Sequence, residues 1–152
     1  MVAQPGKFET RTFTVNVRMP KDGTPMPTLA DYAEAVRQVG DEEKVAVIDL
    51  NAMSLKAYQA LGAEGSKQAF VHYPANTFPD QTVELKDDTH HNVYGAYELA
   101  KCVVEGIKSN VTPLAKFLTT DVPAFDPRHP DAVESVQIPP SPWRASEKSA
   151  GS

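Results

Sequence analysis

Six of the thirteen prolines in this 152-residue chain fall between Pro123 and Pro142, in VPAFDPRHPDAVESVQIPPSP. Proline fixes φ and lacks an amide hydrogen, so neither a helix interior nor a central strand survives such a run. Regular structure is therefore expected in residues 1–120. Residues 121–143 should form an extended arm laid over that body, anchored by Phe125 and Ile138, and residues 144–152 a mobile Ser/Ala/Gly/Lys tail. Lone Trp143 reads as a surface anchor.

Upstream, hydrophobic periodicity alternates between two signatures. RTFTVNVRM, from Arg11 to Met19, has the two-residue period of a half-buried strand. Lys21 to Thr24 supply a turn, and Pro25 and Pro27 argue against immediate re-entry into regular structure. A helix should start at a Thr28 cap and bury Tyr32, Ala35, Val36 and Val39 before ending at Gly40. Val45 to Leu50, VAVIDL, reads as a strand buried on both faces. It leads into a helix capped by Asn51, with Met53, Ala57, Tyr58 and Leu61 inward and Gly62 as its end. Gly65 to Lys86 reads as a surface excursion carrying Phe70, Tyr73 and Phe78. Asn92 opens the clearest helix, whose stripe of Val93, Ala96, Ala100, Val103 and Ile107 should pack on a sheet. Cys102 on that helix reads as a small buried hydrophobe, and a short helical piece is expected around Leu114 to Leu118.

Composition excludes several classes of function. The net charge of −5 and the lack of a basic patch argue against nucleic acid as a partner. One cysteine and four histidines give no structural zinc spacing and no disulfide framework, so no metal and no cofactor are expected. The apolar runs fall short of the roughly 18 residues of a membrane span, and the start, MVAQPGKFETR, lacks the apolar stretch of a signal peptide. A soluble chain with no membrane partner is expected.

Chemistry concentrates in LKDDTHHN, where two acids and two imidazoles precede the best helix. An Asp three residues before a His on a tight turn can reach back to the imidazole Nδ1–H and leave Nε2 outward as a base. Asp87 with His90 has this spacing, and so has Asp88 with His91. The positive end of the helix dipole disfavours an imidazolium there, and a carboxylate offsets it. Spacing alone leaves three readings open: helix capping beside solvated imidazoles, an acid/base pair, and a metal site using Asp87, His90 and His91. His72 and Tyr73, in FVHYPANTF, are candidate sugar contacts, as is Asn92, though loop packing and simple capping explain them equally well.

DDTHHNVYGAYELAKCVVEGIK, with DYAEAVRQV, VAVIDLNAMS, LGAEGSKQAFVHYPANTFP and VPAFDPRHPD, resembles the C-terminal half of the SGNH (GDSL-type) hydrolases, and among them the rhamnogalacturonan acetylesterases. The resemblance implies an α/β fold, a three-layer αβα, flavodoxin-like arrangement around a parallel sheet, of which residues 1–120 carry the C-terminal part. It implies hydrolysis of acetyl esters on pectic polysaccharide by a Ser-His-Asp triad without a metal, with His90 as base and Asp87 as its orienter. Asp88 and His91 become bystanders. Such relatives are often exported, and the compartment stays open.

The family's Gly-Asp-Ser nucleophile block and Gly-x-Asn-Asp oxyanion block do not occur in the 152 residues. Two expectations follow. One is an acetylesterase whose nucleophile lies on a complementing N-terminal half, the chain alone being self-associating or marginally stable. The other is an inactive fragment or non-catalytic interaction module that keeps a relic Asp/His site.

Overall fold

A computed structural model of the chain describes residues 17–18, 25–27 and 29–138. Most of Arg11 to Met19, the turn at Lys21 to Thr24, Thr28, Trp143 and the tail from residue 144 lie outside the described residues. Within them the chain is mixed helix and strand with small sheets. β1 (Val17–Arg18) pairs antiparallel with β2 (Met26–Pro27), Val17 opposite Pro27 and Arg18 opposite Met26. Regular structure thus resumes between the two prolines expected to prevent it. A two-residue edge strand tolerates proline because only one of its sides has to donate.

α1 (Ala30–Glu43) begins with Leu29 at the cap position and no side-chain cap. It runs past the expected stop at Gly40 and turns only at Lys44, which adopts φ 54°. Gly40 is there for contact: a Cβ on it would lie 2.2 Å from Val47 Cγ2. The buried face is Ala33 and Gly40, whereas Tyr32, Ala35 and Val39 are exposed, so the expected apolar stripe is displaced.

Val45 to Asp49 does not pair as the expected strand. It is extended but joins no ladder among the described residues, and its contacts come from helices instead. Asn110 Nδ2 donates to Val47 O over 3.1 Å, and Gly106 lies so close to buried Ile48 that a Cβ would meet its Cγ2 at 2.3 Å.

α2 (Leu50–Lys67) is capped by Asp49, whose Oδ1 accepts from Ala52 N–H at 2.9 Å; the expected cap, Asn51, is the second residue of the helix and buried. Gly62, at φ 71°, breaks its axis where the sequence predicts an end. Ala57 and Tyr58 point inward as expected. The stretch read as an irregular excursion contains β3 (Phe70–Tyr73), which pairs antiparallel with β4 (Leu85–His91). β4 holds the Asp/His cluster, so LKDDTHH is a strand and not a loop. Its polar, two-histidine sequence hides the strand because alternation carries no hydrophobic signal there.

α3 (Val93–Asn110) starts at its predicted cap, Asn92, which accepts from Gly95 N–H at 3.0 Å. Its buried face is Tyr94, Gly95, Glu98, Cys102 and Gly106, and Val93 of the expected stripe is 63% exposed. Small residues select that face. A Cβ on Gly95 would stand 2.0 Å from the carbonyl oxygen of Ala69, so backbone approaches backbone where α3 leaves the strand pair. α4 (Thr112–Ala115) follows, ahead of the predicted position.

The core joins Tyr58, Ala69, Phe70 and Tyr94, with Val133 and Val136 of the proline-rich arm packed against it. Tyr94 OH donates to Asp131 O at 2.7 Å, and Lys101 pairs with both Glu98 and Asp131 at 2.7 Å while lying 4.1 Å from the centre of the Phe125 ring. Phe125 is thus held, but Ile138, the other expected anchor, is exposed, and the two valines pack in its place.

Gly95→Ala should destabilise the chain by about 3 kcal/mol or more, because its obstacle is backbone that cannot yield. Gly106→Ala should cost less, since the Ile48 side chain can shift. Urea unfolding of the two variants checks the order.

Candidate active site

Register in the strand pair creates the site. Phe70 pairs with His91, but the next residue, Val71, pairs with Asp87, so Asp88, Thr89 and His90 are surplus and bulge from the ladder. Bulges re-aim side chains. Here the Asp87 carboxylate closes the bulge. Its Oδ1 accepts from Thr89 N–H at 2.6 Å and His90 N–H at 2.9 Å, and its Oδ2 lies 2.6 Å from His90 Nδ1. The His90 amide, then its ring, then the Thr89 amide hold the Asp87 carboxyl down at about 2. An ionised carboxylate on Nδ1 fixes the proton there and leaves the Nε2 lone pair outward. The His90 side chain is 76% exposed, so a reacting group has open access to Nε2.

The neighbouring pair does not form. Asp88 Oδ1 accepts from His72 Nε2 at 2.6 Å across the strands, and His91 turns the other way. His91 Nε2 lies 2.5 Å from Tyr58 OH, and its ring packs against the touching Tyr58 and Phe70 rings, 4.7 Å from the Phe70 centroid. Burial foremost, with the nearby His90, depresses the His91 pKa, and burial raises that of Tyr58. The phenol therefore stays protonated and donates to a neutral ring. The pairing of Tyr58 with His91 is not marked in the sequence by spacing, since 33 residues separate them.

The three candidate sugar contacts are divided. Val71 opposite Asp87 and Tyr73 opposite Leu85 place Tyr73 on the same strand face as Asp87, whereas His72 points to the other face with Lys86. Asn92 commits its amide to the backbone: Nδ2 donates to Gln68 O at 2.7 Å and Phe70 O at 3.0 Å, and Oδ1 caps α3. It ties the end of β4 to the turn before β3. Among the described residues no group of three His, Cys, Asp or Glu side chains is arranged to hold a metal ion, and no described helix is long and apolar enough to cross a membrane.

Sequence reasoning missed a second pair of the same spacing. Asp126 Oδ2 lies 3.1 Å from His129 Nδ1, but Arg128 Nε takes the same carboxylate at 3.0 and 3.2 Å.

The chain is 37% identical over 103 residues to rhamnogalacturonan acetylesterase RhgT of Bacillus subtilis. By sequence, it is similar to an SGNH-type hydrolase. The match covers 68% of this chain and 44% of the relative, in the relative's C-terminal portion, so the chain spans less than half the length of that enzyme. A matched stretch of 103 residues within 152 has to include the middle of the chain, and with it Asp87 to Asn92. No family model and no solved structure matches.

The two perturbed groups act on stability at different pH. His91, with its pKa lowered in the folded chain, contributes stability that is present above its unfolded value of 6.5 and is lost as pH falls below it. Asp87 contributes above 3.8, and that contribution is lost as pH falls toward about 2. Thermal melts from about pH 7.5 to about pH 5.5 should show a falling melting temperature, and His91→Phe should flatten that slope while lowering the melting temperature throughout.

Proposed function

We propose that this chain supplies the acid/base part of an SGNH-type carbohydrate esterase that removes acetyl groups from a pectic polysaccharide. The observation that carries the reading is the Asp87–His90 pair at 2.6 Å with Nε2 open to solvent. The similarity to a rhamnogalacturonan acetylesterase supports both the reaction class and the substrate class.

In this reading His90 Nε2 takes the proton from a serine hydroxyl as its oxygen attacks the acetyl carbonyl. It then returns that proton to the departing sugar oxygen, and a water activated in the same way releases acetate. Asp87 holds the ring orientation and stabilises the transient imidazolium. No Gly-Asp-Ser block occurs in the 152 residues, so in this reading the nucleophile and oxyanion donors come from sequence outside them. That same feature favours one second reading, a non-catalytic module with a relic pair. Assaying the chain alone and then with an SGNH N-terminal half separates the two.

When the chain is joined to such a half, His90→Ala should lower p-nitrophenyl acetate turnover by about 10⁴-fold, and Asp87→Asn should lower it by several hundredfold or more at unchanged KM. Turnover in His90→Ala within a factor of two of the unaltered enzyme would sink the assignment.

A further inference from the structure

The eleven residues that join β3 to β4 form a surface loop whose order comes from one side chain. Gln81 Oε1 accepts from Thr77 N–H and Phe78 N–H, each at 3.1 Å, and Gln81 Nε2 donates to Pro74 O at 2.9 Å and Val83 O at 2.7 Å. Both lone pairs and both hydrogens of the amide are thereby used. Asn76 N–H donates to Gln81 O at 2.8 Å, Thr77 Oγ1 donates to Pro74 O at 2.7 Å, and Asn76 and Asp80 sit at φ 66° and 61°.

This bracing holds an apolar surface out of the core. Phe78 stays 47% exposed and packs edge-on against Tyr73, ring centres 4.9 Å apart and planes at 80°. Tyr73 shares its strand face with Asp87 and lies two residues along from Asp87's partner, Val71, a separation of about 7 Å. A pyranose ring is about as wide as that step. Exposed aromatic surface held rigid on the strand face that carries Asp87 loses little entropy when it binds a ring.

We infer that Tyr73 and Phe78 form the wall against which a sugar ring of the polysaccharide packs its C–H face, and that Gln81 is the positioning residue that keeps Phe78 there. The occupant is a pyranose of an acetylated polysaccharide, seated so that its ester reaches His90. This inference rests on the esterase reading for its ligand, but its test measures binding without turnover, so the two can fail separately.

The chain itself is titrated with acetylated rhamnogalacturonan oligosaccharides and followed by ¹H–¹⁵N NMR. Shifts should centre on residues 73 to 83, and Phe78→Ala should weaken binding about tenfold. Gln81→Ala should weaken it comparably and abolish the ring-current shift between Phe78 and Tyr73, with the rest of the spectrum unmoved. Gln81→Glu keeps the two acceptor bonds and loses the two donated ones, so it should fall between Gln81 and Ala. No binding, shifts that leave out residues 73 to 83, or equal affinity in Phe78→Ala would overturn the wall. Full affinity in Gln81→Ala would overturn the role of the brace.

Discussion

The Asp87 carboxylate is the point on which the geometry of the site turns. Three surplus residues on β4 leave the ladder, and a bulge of that size exposes backbone amides that its partner strand cannot satisfy. Asp87 answers two of them and one ring nitrogen from a single side chain. The same three bonds thus close the backbone and aim the imidazole, so neither can change without the other. The low pKa of the carboxyl is the electrostatic form of that statement, because every bond it accepts favours its charge.

The rest of the described structure holds the two ends of that bulge. At one end Asn92 fastens the strand exit to Gln68 and Phe70, and His91 packs against the Tyr58 and Phe70 rings and is bonded to Tyr58. Behind them, glycine at 95 lets α3 come within backbone contact of Ala69. The proline-rich arm closes the far side through Val133, Val136 and the Lys101 bridges. His90 projects from this frame without belonging to it, and so its ring stays open to solvent while its neighbour His91 is half-buried.

Local chemistry was legible in the sequence, and the partners of each face were not. Asn92 as a cap, Gly62 as a break and the reach of an Asp to a His three residues on depend on neighbours within one turn. The face α3 buries depends on what it meets: Ala69 and Ile48 admit only Gly95 and Gly106, which outweighs the apolar stripe of Val93 and Ala96. β4 was invisible because its side chains are polar, so its strict alternation of half-buried and exposed positions leaves no hydrophobic mark in the sequence. Val45 to Asp49 failed in the opposite sense. Its β-branched run describes a buried segment correctly, since Ile48 is buried, but burial came from glycine-faced helices and not from a paired strand.

The pair at Asp126 and His129 shows what spacing alone delivers. The same three-residue offset produces the same Oδ–Nδ1 contact on a proline-rich arm, so the contact by itself identifies no function. The difference lies in how each carboxylate spends its oxygens. Asp126 gives both to Arg128, and its imidazole receives a longer, shared bond of 3.1 Å. Among the described residues Asp87 pairs with no lysine or arginine, takes its other bonds from the backbone that carries His90, and gives Oδ2 to the ring alone at 2.6 Å. A ring held by an undivided carboxylate has a single orientation fixed by its own backbone turn, and that geometry, not the three-residue offset, is what separates position 90 from position 129.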